Sequence, residues 1–227
     1  MTRPYAQTAF AGAEPVGRSS RAGLAPLSYR GGLKRVLDVA LVLLALPVVL
    51  PLVLLLALLA ASDGHAPFYS QIRVGRGGRS FRIWKLRSMV PQADALLAAH
   101  LAADPAARAE WDRFQKLARD PRITRVGALL RKTSLDELPQ LLNVLKGDMA
   151  LVGPRPMLPG QQALYPGAAY YALRPGLTGA WQVSARHTSS FEDRAAYDAD
   201  YARTLSLTED LRIIAQTLAV VLAAKGA

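Results

Sequence analysis

Residues 36–61 read VLDVALVLLALPVVLPLVLLLALLAA, a run in which Asp38 is the only charged residue. At about 1.5 Å rise per residue, a helix of this length could cross a hydrocarbon layer roughly 30 Å thick. Lys34 and Arg35 stand directly before the run, and basic residues favour the cytoplasmic side of a membrane. The run therefore predicts a membrane helix whose first residues lie at the cytoplasmic face.

Two prolines inside this run, Pro47 and Pro51, complicate a straight span. Each proline removes a helical N–H donor and clashes with the preceding turn, so we expect a kink. A kinked helix could cross the membrane, or it could turn back so that both of its ends lie on the cytoplasmic face. The chain after Ser62 resembles a cytosolic domain that binds phosphate, and this favours the second path. A buried core helix is a third interpretation, and the run is longer than such helices usually are.

The composition describes a basic protein without thiols. Among 227 residues, 28 Lys and Arg stand against 17 Asp and Glu, which gives a formal net charge of +11. Such an excess requires anionic partners: nucleic acid, anionic lipid headgroups or phosphorylated substrates. The absence of cysteine excludes disulfides, cysteine-zinc sites and thiol nucleophiles. Three scattered histidines argue against a histidine metal site.

The chain divides into three predicted parts. Residues 1–32 are rich in Gly, Ala, Pro, Ser and Arg, and we interpret them as a flexible basic arm. Residues 33–62 form the re-entrant membrane helix, and residues 63–227 form a cytosolic catalytic domain. The fold class is α+β and mostly helical, a monotopic membrane protein with a small β-hairpin.

Within the domain, Phe68–Val74 and Ser80–Arg87 alternate as strands around a glycine-rich turn, which predicts a β-hairpin. Residues 152–179 are rich in Pro and Gly and indicate an ordered loop. The apolar patterns of the remaining segments predict helices over residues 94–116 with an interruption near Asp104-Pro105, 126–132, 138–145, 191–204 and 210–224.

Acidic and basic groups are concentrated in residues 131–140, RKTSLDELPQ. Ser134 and Glu137 have the spacing of a capping box, so these residues could serve only to cap a helix. Pro139 suits a first helical turn, which would put Asp136 and Glu137 at a helix N-terminus. There the helix dipole would keep Asp136 ionised, as a carboxylate nucleophile or a magnesium ligand must be, and would attract phosphate.

Basic residues in rigid contexts surround this acidic pair in the sequence. Arg155 lies between Pro154 and Pro156, which suits a rigid fork for phosphate. A single arginine is most often a solvated surface charge, but so many of them among prolines and glycines favour phosphate binding. The candidate substrate-binding residues are Lys85, Arg87, Arg131, Arg155, Arg174 and Arg186.

From about Leu33 to Leu222 the chain resembles the bacterial sugar transferases, the monotopic polyprenyl-phosphate phosphoglycosyl transferases. It resembles their short, exopolysaccharide-initiating form, which consists of the catalytic core. The number and order of the matching motifs make the resemblance specific. These motifs are Lys34-Arg35 with Asp38, QIRVG at 71–75, FRIWKLRSM at 81–89, SLDELPQLLNVLKGDM at 134–149, VGPRP at 152–156, RPGLTG at 174–179, WQVSAR at 181–186, and Asp198 with Tyr201.

The resemblance implies that Asp136 and Glu137 are a catalytic dyad. Asp136 would attack the β-phosphate of a UDP-sugar, form a covalent phosphosugar intermediate and release UMP. Undecaprenyl phosphate, or another polyprenyl phosphate, would then accept the phosphosugar in the first membrane step of exopolysaccharide or other glycoconjugate biosynthesis. Mg²⁺ held by Asp136 would assist, and Glu137 would support the metal or the second step.

The resemblance also predicts a helix break at Pro51, with Pro47 as an additional break, and insertion into one leaflet of the bacterial inner membrane. The catalytic domain would face the cytoplasm, membrane lipid would be a partner, and a homodimer is compatible with the family. The sugar is not determined. Two further hypotheses stay open: a basic membrane protein that recruits nucleic acid or anionic lipid, and a lipid-pyrophosphate phosphatase. The dispersed arginines and the acidic pair argue against nucleic acid as a partner.

Overall fold

The computed structural model of the protein describes residues 28–184 and 190–223. It opens with a helical turn, Tyr29–Leu33, and a long helix α1, Lys34–Ala60. Residues 1–27 of the predicted arm lie outside the described residues. Residues 29–32, which we assigned to the arm, form the helical turn instead, and the Tyr29 hydroxyl donates to Asp210 at 2.5 Å.

Both ends of α1 are held by the domain that follows it. At its start, Lys34 Nζ lies 2.5 Å from Asp210 Oδ2, and Arg35 Nη2 donates to Leu145 O at 2.8 Å. At its end, Arg87 Nη2 donates to Ala60 O at 2.6 Å. A helix fixed at both ends by one domain lies along that domain, and the placement of both ends on one side of a membrane stays a prediction.

One face of α1 packs on the domain and the other is exposed. Val42 is buried among core side chains from the hairpin and from a later helix, while Leu56 and Ala57 pack against Leu86 and Leu130. Leu44 on the opposite face is 78% exposed. Within the described residues, this is the helix long and apolar enough to cross a membrane. The exposed leucines give it the character of a membrane anchor.

The two prolines lie inside α1, which continues to Ala60 without interruption of its helical assignment. Neither Pro47 nor Pro51 therefore ends the helix, although each one removes a helical N–H donor. We predicted that the helix turns back toward the cytoplasmic face at these prolines, and that path through the membrane stays a prediction.

The hairpin forms where its alternation predicted it. Strand β1, Phe68–Val74, pairs antiparallel with β2, Ser80–Leu86. Gly77 and Gly78 in the turn have φ of 70° and 77°, a region that favours glycine. The second strand ends at Leu86, one residue before our prediction. The Arg87 amide still donates to Pro67 O at 2.7 Å, and its side chain bonds to the end of α1.

The remaining elements are short helices and a second strand pair. The helices are α2 (Ala93–Ala103), α3 (Pro105–Phe114), α4 (Arg125–Thr133), α5 (Leu141–Lys146), α6 (Ala169–Ala172), α7 (Ala180–Ser184), α8 (Arg194–Thr204) and α9 (Leu207–Leu222). Strands β3 (Ala150–Val152) and β4 (Gly176–Thr178) pair in parallel. This pair bounds the segment that we predicted to be loop. A 3₁₀ turn also forms within that segment, at Pro159–Leu164.

Candidate active site

The two adjacent carboxylates lie in a 3₁₀ turn between α4 and α5, Leu135–Gln140, which we call the dyad turn. Asp136 and Glu137 are only 6% and 8% exposed. Asn143 of α5 fixes this region against β2, because its Nδ2 donates to Arg82 O at 2.8 Å and its Oδ1 accepts from Trp84 N at 3.3 Å. The hairpin therefore forms the wall against which the dyad is held.

The capping box that the sequence suggested does not form. Ser134 has a left-handed backbone with φ of 57°, and its side chain makes no capping bond to the dyad turn. The Glu137 amide donates instead to the Ser134 carbonyl oxygen at 3.2 Å. The Glu137 carboxylate is engaged by basic side chains from other elements, so it is not available to cap the turn. Regular α-helix begins only at Leu141.

Glu137 is the centre of a group of ion pairs. Its Oε1 lies 2.7 Å from Lys85 Nζ on β2 and 3.0 Å from Arg155 Nη2 in the loop after β3. Lys85 Nζ also lies 3.8 Å from Asp136 Oδ2, so one ammonium group serves both carboxylates. Two segments distant in sequence, β2 and the loop after β3, thus reach the dyad turn, each through a positive charge.

The burial of Asp136 has an electrostatic consequence. Desolvation raises the pKa of its carboxyl group, and the positive charge of Lys85 opposes that rise. The neighbouring Glu137 raises this pKa further, while Arg131 and Arg155 lower it. The ionised form of Asp136 therefore depends on the basic groups around it. The Glu137 carboxylate in turn raises the pKa of Arg155.

Arg73 belongs to this site and was missed as a site residue, although it lies in the QIRVG motif. Its Nη1 donates to Pro156 O at 3.1 Å and its Nη2 to Gln71 Oε1 at 2.6 Å. Burial, with Arg155 as a second cause, lowers the pKa of Arg73 to about 10. Alternation along β1 could have indicated an inward side chain, but the sequence does not reveal which strand face meets the dyad.

Glycines allow the loop that carries Arg155 to reach the dyad. A Cβ on Gly153 would lie 2.3 Å from Arg174 O, and one on Gly176 would lie 2.1 Å from Gly153 N. No side chain fits at such distances, so these glycines let the backbones of β3, β4 and the intervening loop approach closely. The Gly-Pro-Arg-Pro motif is thereby pressed against β4, with Arg155 directed at Glu137.

Of the other predicted substrate-binding residues, one lies near the dyad and two lie elsewhere in the fold. Arg131 lowers the pKa of Asp136, and its Nε is buried without a hydrogen-bond partner among the described residues. Arg87 instead pairs with Asp63 at 2.5 Å and fixes the end of α1. Arg174 donates through Nε to Gly147 O at 3.0 Å. Arg186 lies outside the described residues.

Two spaces meet at Glu137. A small polar pocket is lined by charged side chains, among them Arg73, Lys85, Glu137 and Arg155. A larger space of about 390 Å³, which we call the apolar cavity, lies between α1, the dyad turn and α9. Its lining is largely aliphatic, and Glu137 lines it as well. Glu137 therefore stands at the border between a polar and an apolar space.

The donor set suits a divalent cation only in the presence of further ligands. In residues 28–184 and 190–223, no cluster of three or more His, Cys, Asp or Glu side chains is present. Asp136 and Glu137 offer carboxylate oxygens, and Mg²⁺ is commonly bound by one or two carboxylates with substrate phosphates and water completing its shell. The site therefore fits a Mg²⁺ ion that arrives with a phosphorylated substrate.

Comparison with known proteins identifies related sequences along most of the chain. The sequence model of the family described as bacterial sugar transferase matches residues 29–224. The UDP-galactose-lipid carrier transferase of Erwinia amylovora is 47% identical over 197 residues, which are 86% of this chain and 41% of that protein. The exopolysaccharide production protein ExoY of Rhizobium meliloti is 45% identical over 200 residues, 86% of this chain and 88% of the relative.

A third relative is the undecaprenyl-phosphate galactose phosphotransferase of Salmonella typhimurium, 45% identical over 197 residues, 86% of this chain and 41% of that protein. The chain thus spans less than half the length of the Erwinia and Salmonella relatives and most of the length of the Rhizobium one.

Proposed function

Because the chain belongs to the bacterial sugar transferase family, we propose that it transfers a sugar-1-phosphate from a UDP-sugar to undecaprenyl phosphate or another polyprenyl phosphate, releasing UMP. The names of the Erwinia and Salmonella relatives support a nucleotide-sugar donor and a lipid-phosphate acceptor. The name of the ExoY relative supports a role in exopolysaccharide production, and we propose that this reaction is its first membrane step.

The observation that carries this proposal is the position of the dyad. Glu137 lines both the pocket with basic side chains and the apolar cavity, and Asp136 precedes it in the chain. A phosphate donor and a lipid acceptor can therefore approach the dyad from two sides. Lys85, Arg73, Arg131 and Arg155 outnumber the two carboxylates, so the site keeps a positive excess that suits anionic phosphates.

The chemistry follows as two displacements at one phosphorus atom. A carboxylate oxygen of Asp136 attacks the β-phosphorus of the UDP-sugar, and the bond to the oxygen bridging the two phosphates breaks, so UMP leaves with that electron pair. A phosphate oxygen of the polyprenyl phosphate then attacks the same phosphorus, and the bond to Asp136 breaks. The carboxylate is regenerated, as covalent catalysis requires.

Charge neutralisation is the main contribution that the surrounding residues make to these displacements. Lys85, 3.8 Å from Asp136 Oδ2, favours the ionised nucleophile. Arg155 and Arg73 are positioned to bind donor phosphates in the polar pocket. A bound Mg²⁺, held by Asp136 with support from Glu137, would neutralise the pyrophosphate charge.

We propose that the protein sits in the inner membrane, with its domain on the cytoplasmic face and α1 entering one leaflet. The exposed leucines of α1 and the attachment of both its ends to one domain support this arrangement. Because the chain has no cysteine, single cysteines introduced at Gly31 and His65 can be labelled selectively with a membrane-impermeant thiol reagent. Both should react in inverted vesicles and neither in intact spheroplasts; reaction of one site in each preparation would refute the arrangement.

The activity is tested with purified protein, Mg²⁺, polyprenyl phosphate and a panel of UDP-sugars that includes galactose, glucose and N-acetylated amino sugars. We expect UMP release with at least one donor. We also expect exchange of labelled UMP into that UDP-sugar without lipid, because the first displacement is reversible. Asp136→Asn should abolish both, while Asp112→Asn, an exposed carboxylate on α3, should abolish neither. UMP release that requires lipid, with no exchange in its absence, would refute the covalent step. Release of inorganic phosphate alone would indicate a phosphatase.

A further inference from the structure

The two walls of the apolar cavity come from opposite ends of the chain. Ala45 lies on the wall formed by α1, and Val221 lies on the wall formed by α9. The dyad turn closes the space at Glu137. At about 390 Å³, the cavity lies within the roughly 300–1,000 Å³ that is usual for ligand pockets. Because its lining is largely aliphatic, it suits a segment of an apolar chain.

The polar side chains Thr178, Gln182 and Thr217 in the lining do not make the apolar cavity hydrophilic. Thr217 Oγ1 donates to Ile213 O at 2.8 Å and lies 2.7 Å from Thr178 Oγ1, which can donate to it, so both hydroxyl protons are used inside the protein. Gln182 is 8% exposed and donates through Nε2 to Leu177 O at 3.0 Å. Its Oε1 is buried without a hydrogen-bond partner in the described part of the chain. The wall thus offers aliphatic surface and one buried amide oxygen.

The apolar cavity also opens onto exposed apolar surface, because Leu218 lines it and is 59% exposed. With this surface in the membrane, an apolar chain could pass from the lipid phase into the cavity without contact with water. At the inner end the same chain would meet Glu137 and the basic side chains paired with it.

We propose that the apolar cavity binds the isoprene units nearest the phosphate of the acceptor, so that α9 is part of the acceptor site together with α1. This inference rests on the proposed function, since it assigns the place of one of its two substrates. An amphiphile has a phosphate head that suits the polar pocket on one side of Glu137 and an apolar chain that suits the cavity on the other side. A UDP-sugar, polar along its whole length, matches only the polar pocket.

The test fills the cavity from each wall with Ala45→Trp and Val221→Trp, singly and together. The acceptor is farnesyl phosphate, which is soluble enough to be assayed in detergent without a bilayer. We expect KM for farnesyl phosphate to rise about tenfold or more, equivalent to about 1.4 kcal/mol of lost binding. Exchange of labelled UMP into the UDP-sugar should stay unchanged, because that half-reaction uses no acceptor.

The matched controls are Leu44→Trp on α1 and Leu211→Trp on α9, both at exposed positions outside the cavity lining. They should leave both measurements unchanged. An unchanged KM for farnesyl phosphate in the filled double variant, with UMP exchange intact, would overturn the inference while leaving the proposed function in place. Absence of UMP exchange in the wild-type protein would instead count against the proposed function.

A second measurement does not depend on activity. Wild-type protein is photo-cross-linked with a benzophenone-bearing isoprenyl phosphate, and the modified peptides are mapped. Adducts on α9 that disappear in the Val221→Trp variant are expected. Adducts confined to the outward face of α1, or adducts on α9 that persist in the filled variant, would show that the isoprenoid stays in the lipid phase or lies elsewhere.

Discussion

Arg194 holds the backbone of Arg155: its Nη2 donates to the Arg155 carbonyl oxygen at 2.6 Å. The Arg194 guanidinium lies 5.0 Å from the Trp181 ring centroid and 4.7 Å from that of Phe191, so it is fixed between two aromatic rings. Burial lowers the pKa of Arg194 to about 10. Helix α8 thereby supports the loop whose arginine pairs with Glu137, although none of these α8 contacts involves the dyad itself.

The first prediction is that Arg194 acts as a positioning residue for Arg155. In Arg194→Lys the charge stays, but the planar fork that reaches the carbonyl is lost. We expect kcat for UMP release to fall by about tenfold, because a hydrogen bond from a charged group contributes about 1.5–3 kcal/mol. Arg203→Lys, at an exposed position on the same helix, should have no effect.

A double-mutant cycle separates positioning from general destabilisation. If Arg194 acts through Arg155, the losses of kcat in Arg194→Lys and Arg155→Lys should be less than additive in the double variant. Fully additive losses would contradict the positioning role, and a loss of kcat that merely follows the fraction of unfolded protein would contradict it as well.

The second prediction concerns the pH dependence of catalysis. Lys85 lowers the pKa of Asp136, which burial has raised, so Lys85→Met should raise that pKa further. Because the carboxylate form attacks, UMP exchange falls as pH decreases through this pKa. The acid limb of the pH–rate profile should therefore move to higher pH in Lys85→Met. The matched control is Arg82→Met, an exposed residue on the same strand that bonds Ser70 Oγ at 3.1 Å. An acid limb that does not move would show that Lys85 leaves the titration of the nucleophile unaffected.

The sequence predicted the local parts of this architecture and missed the parts made by distant segments. The hairpin was predicted almost to the residue, because alternation and glycines act within a few positions. The pairing of Ala150–Val152 with Gly176–Thr178 was missed, since three-residue strands carry no readable period and their contact depends on the whole fold. The regular α-helix predicted from Leu138 begins only at Leu141.

The candidate site shows the same division. Asp136 and Glu137 could be proposed because their spacing and neighbours are local, and Arg155 because two prolines flank it; the structure brings Arg155 within 3.0 Å of Glu137. Arg73 and Arg87 are both strand-associated arginines, yet one lines the polar pocket and the other holds the end of α1. Whether such an arginine meets the dyad or α1 depends on how distant segments pack around the strand, and no short pattern contains that information.

The third prediction is a loss of stability on raising the pH, caused by Asp198. This carboxyl accepts a hydrogen bond from Tyr165 at 2.8 Å, and burial raises its pKa from 3.8 to about 6. The folded state therefore retains a proton that the unfolded state has already released between about pH 4 and pH 6. The contribution of Asp198 to stability is greatest below this window and falls by about 3 kcal/mol across it, at about 1.4 kcal/mol per unit.

Urea unfolding of the detergent-solubilised protein between pH 3.5 and pH 7 measures this dependence, with roughly one point per half unit across the window. Asp198→Asn keeps an acceptor for Tyr165 and cannot ionise, so its stability should lack the fall. Asp200→Asn, whose side chain is 61% exposed on the same helix, should keep it. If Asp198→Asn and the wild-type protein lose stability equally over this range, another group is responsible.

The fourth prediction concerns the close approach that carries Arg155 to the dyad. A Cβ on Gly153 would lie 2.3 Å from the Arg174 carbonyl oxygen, and backbone rather than a flexible side chain would have to move. Gly153→Ala should therefore cost about 3 kcal/mol of stability and displace Arg155, two residues further on, from Glu137. UMP exchange measured at a temperature where the variant is still folded should fall as well.

Gly160→Ala is the matched control, because a Cβ there meets nothing within 4 Å and its backbone needs no glycine. Removing a glycine from such a position restricts the unfolded chain, so this variant should be unchanged or more stable by about 0.4–1 kcal/mol. Equal stability of the two variants would mean that β3 and β4 can separate without cost. Lost stability with intact UMP exchange in Gly153→Ala would mean that Arg155 reaches Glu137 without the close strand pair.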